Sequence, residues 1–343
     1  MAASKHILVL RFSSMGDVAM TVPVIKALLS QNPNVSITFV SRPGFMEFFS
    51  GIDRLTYFAV DLSANYKGFR GIIRLFAQLN KSGVYHAVAD LHDNLRSKLL
   101  RNMFRLSGRS YAYIDKGRDE KKQLTRFPNK VLKPLKRTIE RYADVFRKLG
   151  FSIDLNYQLA KTPGPLTDQI TAVVGEKTQS WIGITPFAQY KGKTFPVEKM
   201  EEVISLLGAH HVKVLLFGGT PMDEEICRQW QDKYEHVIST VRKLTMAQEL
   251  ILINQLDVML SMDSAGMHLA SLKGTPVVSI WGATHHYAGF LGYGQSEDNI
   301  VADSIACRPC SVYGNKPCFR KDYACLYNIN PQTVVNSLLK FVQ

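Results

Sequence analysis

One carboxylate in the sequence stands where it can act as a base on a bound substrate. Asp17 closes the segment Arg11-Phe-Ser-Ser-Met-Gly-Asp17, which directly follows an apolar run that predicts the first strand. In an open α/β sheet, ligands bind at the carboxyl ends of the strands. Ser14 and Gly16 suit a tight turn whose backbone N–H groups approach a ligand, and Asp17 can take a proton from an attacking hydroxyl. The alternative is a plain helix N-cap, a position that Asp favours.

A lysine-bearing loop follows the first predicted strand of the second half of the chain. The loop runs from residue 185 to residue 196, and Lys193 precedes a predicted helix. A lysine in such a loop can neutralise a diphosphate as a compact point charge. Lys191 is the competing candidate, and a solvated loop lysine without a ligand is the alternative for either one.

Two further strand-to-helix turns carry groups that suit a nucleotide. Gly218 and Gly219 permit close approach of the backbone to a ligand. Glu224 can accept hydrogen bonds from ribose hydroxyls, although an acidic residue also simply favours the start of a helix. Residues 263–270 open a helix whose first N–H groups form an anion site. The donor-site candidates from the loop and these turns are Thr185, Lys193, Gly218, Gly219, Glu224, Asp263, Ser264, Ala265, Gly266 and His268.

The elements that would position these turns are short apolar runs alternating with helical patterns, which predicts an α/β architecture with parallel sheets. The spacing of apolar residues also predicts a helix over residues 138–149, with Gly150 as its C-terminal stop. Two similar halves predict two domains with a cleft between them, where ligands usually bind. The predicted strands are residues 6–12, 36–41, 55–61, 86–91, 181–185, 213–217, 258–261 and 277–281.

The composition is that of a globular protein with an excess of positive charge. The formal net charge is +13, and residues 96–148 contain seventeen Lys or Arg against five Asp or Glu, so one stretch carries nearly the whole excess. Such a block predicts an anionic partner, whether acidic substrate, membrane surface or nucleic acid, or else a solubilising face. Because no apolar run is long enough to span a membrane and no secretory signal is recognisable, we expect a cytoplasmic protein.

Four of the five cysteines cluster near the C-terminus, in the pattern Cys307-x2-Cys310-x7-Cys318-x6-Cys325. This spacing allows a small zinc site. It also allows reduced structural thiols, or disulfides in an oxidising compartment. We favour reduced thiols, because stable disulfides do not fit a cytoplasmic protein. Apart from this cluster we expect no metal site, and we expect no cofactor.

Taken in order, the four motifs resemble glycosyltransferase family 9, the heptosyltransferases of lipopolysaccharide assembly. The resemblance rests on R-x-S-S-M-G-D ending at Asp17 and on D-S-x-x-x-H-L-A beginning at Asp263. It implies the GT-B fold, in which two Rossmann-like domains face a cleft. The acceptor would bind the first domain, residues 1–165, and the nucleotide sugar the second, residues 166–330. The final helix, within residues 331–343, would pack back on the first domain.

The resemblance also implies a reaction. This is an inverting, metal-independent transfer of heptose from ADP-heptose to an acidic Kdo–lipid A acceptor at the cytoplasmic face of the inner membrane. It assigns the general base to Asp17, and it matches Leu244 to an adenine contact. It matches Asp90 and Arg96 to the start of an acceptor-side helix, with Ser14 and Gly16 on the same side. We expect a monomer that does not bind nucleic acid.

Two other functions fit parts of the sequence. One is transfer of a different nucleotide sugar in surface polysaccharide synthesis, and the other is non-enzymatic binding of a polyanion by the basic block. If Asp17 is not the base, His92 and Asp93 are the next candidates. A nicotinamide-dependent enzyme is disfavoured, because no G-x-G-x-x-G segment follows a predicted strand.

Overall fold

The computed structural model describes residues 5–157 and 159–342, so the predicted domain limits at residues 1 and 343 lie outside the described residues. By its internal contacts the chain divides into two units. The first runs to Lys116 and resumes over Arg137–Tyr157, and the second takes Gly117–Lys136 and the remainder. The sequence predicts one boundary after residue 165, whereas the structure has the chain change units at 116, 136 and 157.

Each unit contains one sheet in which every pair of neighbouring strands is parallel, as predicted. The strands are β1 (Lys5–Leu10), β2 (Val35–Ser41), β3 (Leu55–Ala59), β4 (Ala87–Asp90), β5 (Ser110–Tyr113), β6 (Ser180–Thr185), β7 (Val212–Leu216), β8 (Val237–Ser239), β9 (Val258–Met262), β10 (Val277–Ile280) and β11 (Ile300–Val301). Their spatial order is β3-β2-β1-β4-β5 in the first unit and β11-β10-β9-β6-β7-β8 in the second. The central strands are buried along their length, and for this reason they read as continuous apolar runs in the sequence.

Helices connect the strands and cover the sheets. They are α1 (Met15–Ala19), α2 (Thr21–Gln31), α3 (Gly68–Ser82), α4 (Leu95–Leu106), α5 (Arg118–Thr125), α6 (Thr138–Lys148), α7 (Asp168–Val174), α8 (Val197–Leu207), α9 (Pro221–Lys233), α10 (Met246–Gln255), α11 (Ala265–Leu272), α12 (Ala324–Tyr327) and α13 (Pro331–Leu339). Short 3₁₀ turns lie at Pro43–Phe49, His286–Ala288 and Glu297–Asn299. Within the described chain, no helix has the length and apolarity needed to cross a bilayer.

The last helix does not follow the prediction that it packs back on the first domain. Its buried residues Val334, Val335 and Leu338 belong to the hydrophobic core of the second unit. The helix packs chiefly on α8, whose inward residues Met200 and Val203 are in the same core. The apolar stripe of α13 is therefore buried within its own half of the chain.

The basic block is likewise divided, although the sequence analysis placed all of it in the first domain. Residues 117–136 belong to the second unit. The Leu135 N–H donates to the carbonyl of Tyr287 at 2.9 Å, and Lys130 Nζ donates to the carbonyl of Cys307 at 2.8 Å. Lys121 lies 4.5 Å from the centre of the Phe290 ring. The residues that hold this segment lie more than 150 residues further along the chain, so the hydrophobic periodicity of the segment could not predict these contacts.

A half-buried carboxyl on α10 gives the fold a testable pH dependence. Burial raises the pKa of Glu249 from its ordinary 4.5 to about 7. Because the folded pKa is the higher one, its contribution to stability is fully present below pH 4.5 and is lost as the pH rises through 7. We expect Glu249→Gln to stabilise the protein by about 2 kcal/mol near pH 8.5, a few degrees in melting temperature, and to change little near pH 4. Thermal melts at both pH values test this.

The matched control for that measurement is Glu235→Gln, because Glu235 is exposed. It should leave the melting temperature unchanged at both pH values. A Glu249→Gln variant that is no more stable than wild type near pH 8.5 would show that the carboxyl is hydrated in the folded protein.

Candidate functional site

The first unit brings two turns together at the carboxyl edge of its sheet. Strands β1 and β4 are neighbours, and Leu10 pairs with Asp90 at their ends. The residues that follow each strand are also joined. Arg11 Nη1 donates to the carbonyl of Leu91 at 2.8 Å, and the Phe12 N–H donates to His92 Nδ1 at 3.2 Å. The predicted catalytic motif and the predicted acceptor-side turn are therefore neighbours.

Asp17 lies in the first turn of α1 rather than at its cap. Ser14 is the N-cap residue, and Asp17, three residues on, completes a capping box with it. The Ser14 N–H and Oγ donate to Asp17 Oδ2 at 3.3 and 2.7 Å. The interpretation of Asp17 as the N-cap itself is thus wrong by three residues, and Gly16 is buried within the same turn. The carboxylate does have a structural role, so an experiment must separate that role from catalysis.

A buried guanidinium fixes the same carboxylate. Arg11 Nη2 lies 2.6 Å from Asp17 Oδ2, and the Arg11 side chain is 8% exposed against 27% for Asp17. The guanidinium also lies over the ring of Tyr142. Burial would lower the pKa of Arg11, but the charge and hydrogen bond of Asp17 raise it above its ordinary value. The geometry holds a charged, partly exposed carboxylate in one orientation at the strand edge.

His92 lies between the two turns and accepts a hydrogen bond from the first of them. Burial, followed by the positive charges of Arg11 and Lys116, lowers the pKa of His92 to about 3. The Phe12 N–H donates to Nδ1, and Asn94 Nδ2, an amide nitrogen that can only donate, lies 3.2 Å from Nε2. Both ring nitrogens therefore face donors. The lowered pKa makes His92 a poor general base near neutral pH.

An ion cluster behind the acceptor-side turn fixes the start of α4. Arg101 Nη1 lies 2.9 Å from Asp90 Oδ2 and 3.2 Å from Asp93 Oδ1, and the guanidinium stacks on the ring of Tyr113 at 4.2 Å. Asp90 is fully buried, and burial raises its pKa although hydrogen bonds and Arg101 act against this. Asp90 therefore supports the turn from behind, whereas Arg96 is exposed in the first turn of α4.

In the second unit, hydroxyl groups line the edge where β6 and β9 end. Thr185 Oγ1 donates to Ser261 Oγ at 2.8 Å, and Ser261 Oγ lies 3.1 Å from Ser264 Oγ. Ser264 is the N-cap residue of α11, and Ala265 is its first residue. A Cβ on Gly266 would lie 2.3 Å from Thr185 Oγ1, so only glycine lets α11 start this close to β6. The structure thus brings together four donor-site candidates predicted from separate motifs.

Lys193 forms a buried ion pair with another candidate. Its Nζ lies 2.9 Å from Asp263 Oδ2, and the two side chains are 15% and 4% exposed. Gly314, at φ +73°, packs against the lysine stem, since a Cβ there would lie 2.6 Å from Lys193 Cγ. Lys191 instead lies over the ring of Tyr323 at 4.9 Å. The fold therefore separates two lysines that the sequence left as competitors.

The glycine turn after β7 is closed by a capping box. The Gly219 N–H donates to Asp223 Oδ2 at 2.9 Å, and a Cβ on Gly218 would lie 2.8 Å from Asp223 Cβ. Nothing lies within 4 Å of the position of a Cβ on Gly219, so its backbone is open to a ligand. Glu224 pairs with Arg242 at 2.9 Å, and both side chains are about half exposed. Arg242, with φ +58°, is a partner that no sequence motif indicated.

The two remaining donor candidates differ in exposure. Leu244 is half-buried in the turn between β8 and α10, directly before the capping residue Thr245. His268 is buried on α11 at 6% exposure. A buried helical histidine fits the structural role that is usual for a lone histidine, whereas Leu244 lies at the strand edge with the other candidates.

The four C-terminal cysteines are free thiols, of which Cys325 is buried. Burial raises the pKa of Cys325 to about 12. Over residues 5–157 and 159–342, no three His, Cys, Asp or Glu side chains are arranged to hold a metal ion. The Cys310 N–H donates to the carbonyl of Ala283, and Arg308 Nε donates to the carbonyl of Gly282. The segment braces the loop after β10, a role that its sequence did not indicate.

Solved structures of other proteins share this fold. The glycosyl transferase family 9 structure from Veillonella parvula superposes with a TM-score of 0.76 at 19% identity, covering 99% of this chain and 98% of that one. Escherichia coli heptosyltransferase WaaC with ADP-2-deoxy-2-fluoro heptose gives a TM-score of 0.65 at 18% identity, covering 98% and 99%. At such identities the likeness establishes the fold, and the predicted α/β GT-B class is confirmed.

The sequence comparison is more specific. The model of glycosyltransferase family 9 (heptosyltransferase) matches residues 72–318, and the chain belongs to this family. Lipopolysaccharide core heptosyltransferase OpsX of Haemophilus influenzae is 22% identical over 309 residues, which cover 88% of this chain and 85% of that protein. The predicted enzyme class, a glycosyltransferase, is confirmed, and a purely non-enzymatic polyanion-binding protein is set aside.

Proposed function

We propose that the protein transfers heptose from ADP-heptose to an anionic lipopolysaccharide inner-core acceptor, with inversion at the anomeric carbon and with Asp17 as general base. The observation that carries the proposal is the carboxylate of Asp17, partly exposed at the carboxyl edge of β1 and oriented by Arg11 and Ser14. Family membership, the name of the Haemophilus relative and the ADP-sugar analogue in the Escherichia coli structure support the choice of substrates.

The chemistry needs one base and one positive field. Asp17 takes the proton of the acceptor hydroxyl while the oxygen of that hydroxyl forms a bond to the anomeric carbon. The bond from that carbon to the β-phosphate oxygen breaks on the opposite face, and ADP leaves with the electron pair. Lys193 and the first N–H groups of α11 offset the charge that develops on the diphosphate. These groups supply both requirements from the protein's own side chains and backbone.

Asp263 serves this reaction through Lys193. Its carboxylate is 4% exposed and lies 2.9 Å from the lysine ammonium, which it holds at the start of α11. The anionic diphosphate then approaches an ammonium group that is already oriented. Asp263 is therefore a positioning residue, while Ser264, Ala265 and Gly266 present the N-terminus of the helix.

The nucleotide is the first property to test. ADP and ADP-heptose should raise the melting temperature more than UDP- or GDP-sugars at equal concentration, because Leu244 and its strand edge would contact adenine. A ligand at about a hundred times its Kd stabilises by about 2.7 kcal/mol, which a thermal-shift assay resolves easily. A preference for UDP or GDP would instead indicate the other nucleotide-sugar transferase considered from the sequence.

The acceptor side is tested separately at Arg96. This exposed residue lies in the first unit, whereas the donor candidates all lie in the second. Arg96→Ala should raise the acceptor KM roughly 10- to 100-fold, the worth of one charge-assisted hydrogen bond, and leave ADP binding unchanged. Lys148→Ala, a matched removal of positive charge at the end of α6, should change neither. An equal loss of ADP affinity in Arg96→Ala would contradict this division of the two substrates.

A further inference from the structure

Two loops of the second unit form an exposed apolar surface. The rings of Phe127 and Phe319 stack at 5.8 Å, and these side chains are 62% and 58% exposed. Leu132 and Tyr313, in the same two loops, are also exposed. We call residues 126–136 and 313–321 together the aromatic–cationic surface. Single exposed apolar residues are common, but a contiguous group rimmed by polar residues marks an interaction site.

Hydrogen bonds fix the backbone of the loop that carries Phe127. Lys130 Nζ and the Leu135 N–H bond to backbone carbonyls of the unit's core loops, and the Val131 N–H donates to the carbonyl of Gln123 at 3.2 Å. Arg126 Nε closes the intervening turn on the carbonyl of Asn129 at 2.8 Å. Because the backbone on both sides of Phe127 is fixed, the exposure of its ring is built into the fold.

The charge of the surface is of one sign. Residues 126–136 contain four Lys or Arg, residues 313–321 contain three, and neither stretch contains Asp or Glu. Asp322, the next residue, is paired with Arg320 at 2.8 Å. The two stretches therefore carry an excess of positive charge beside exposed apolar side chains, which complements an anionic partner that also accepts hydrocarbon groups.

The ring geometry distinguishes between the anionic partners. A single-stranded nucleic acid stacks its bases on free ring faces. Here Phe127 and Phe319 cover one face of each other's ring, with 27° between the ring planes, so only the outer faces remain for a base. An anionic bilayer surface requires no free ring face, because aromatic side chains insert at the headgroup level while neighbouring Lys and Arg contact phosphates.

We propose that the aromatic–cationic surface docks the protein on an anionic phospholipid bilayer, with Phe127 and Phe319 inserted at the headgroup level. The proposal goes beyond glycosyl transfer and does not depend on it, because docking needs neither donor nor acceptor. It would bring an enzyme with a glycolipid acceptor to the surface where that acceptor lies.

The test is flotation of the full-length protein with phosphatidylcholine vesicles, with and without phosphatidylglycerol. Wild type should bind the anionic vesicles and leave the neutral ones unbound. Phe127→Ser with Phe319→Ser should weaken binding at least about 10-fold, the worth of part-burying two phenyl groups. Lys133→Gln with Lys316→Gln and Lys321→Gln should weaken it about 5-fold per charge, with a shallower salt dependence.

The matched control is Met222→Ser with Val84→Ser, which removes two apolar side chains that are 73% and 75% exposed elsewhere. It should bind vesicles as wild type does. A second measurement uses a variant that still binds. In Phe319→Trp, the fluorescence of the new tryptophan should shift to the blue when anionic vesicles are added, and should not shift with neutral vesicles. Undiminished binding by the double Phe variant, or an unshifted Trp, would overturn the proposal. Loss of oligonucleotide binding in the same variants, with vesicle binding intact, would assign the surface to nucleic acid instead.

Discussion

Asp17→Asn should leave a folded protein that binds ADP normally and transfers sugar about 10²–10⁴-fold more slowly, the usual worth of a positioned general base. Asparagine keeps the size of the side chain and an oxygen that can accept from Ser14, so the capping interaction is largely retained. It cannot take a proton near neutral pH. The measurement is single-turnover transfer at saturating donor, together with a thermal melt and an ADP titration.

The structure shows why that experiment needs a second variant. Neutralising Asp17 leaves the guanidinium of Arg11 buried beside an amide, which costs some stability. Asp223 has the same position in the capping box of α9, where it accepts from the N–H groups of Gly219 and Thr220. Asp223→Asn should therefore reproduce the loss of a capping charge and leave the single-turnover rate unchanged. If the two variants lose rate equally, or if Asp17→Asn keeps it, Asp17 is not the base.

The central strands of both sheets were predictable because burial on both faces leaves an unbroken apolar run. The helix over residues 138–149 was predictable too, and its stop at Gly150 is confirmed by φ +86°. Of the edge strands, β3 was predicted, whereas β5, β8 and β11 were not. Three of the four residues of β5 are exposed, and β11 has only two residues, so neither has a pattern to detect. The pattern of apolar residues along the sequence therefore reveals an element only where enough of that element is buried.

Periodicity does not report which element provides the burial. The apolar stripe of α13 was visible, but its partner α8 precedes it by more than 120 residues. Residues 117–136 were visible only as positive charge, and their assignment to the second unit depends on contacts with Tyr287, Phe290 and Cys307. Long-range pairings of this kind are set by the register of the folded chain.

The candidate site follows the same rule. Motifs at strand ends gave Asp17, Lys193 and Asp263, because parallel strands end at one edge of a sheet. The ion pairs that these residues form were not predicted, although Arg11 and Asp17 lie in one motif. No spacing rule links Lys193 to Asp263 or Glu224 to Arg242, since each pair joins two different connections of the sheet.

The Lys193–Asp263 pair leads to the second large prediction. Lys193→Ala removes the partner of a carboxylate that is 4% exposed, and breaking such a pair costs about 3–5 kcal/mol. It should also weaken ADP binding roughly 10- to 100-fold, because a charge-assisted contact to the diphosphate is lost. Lys191→Ala removes only a cation–π contact at an exposed side chain and should cost less than about 1 kcal/mol, with ADP affinity unchanged.

A double variant separates the two effects of Lys193. Lys193→Met with Asp263→Asn removes both charges, so no uncompensated carboxylate remains, and the melting temperature should recover most of what Lys193→Ala loses. ADP affinity should not recover, because the diphosphate still lacks its counter-charge. Thermal melts and ADP titrations on wild type, Lys193→Ala, Lys191→Ala and the double variant measure stability and ADP affinity. Recovery of ADP affinity in the double variant would show that Lys193 only neutralises Asp263. Equal losses of ADP affinity in Lys191→Ala and Lys193→Ala would show that Lys193 is not the specific diphosphate contact.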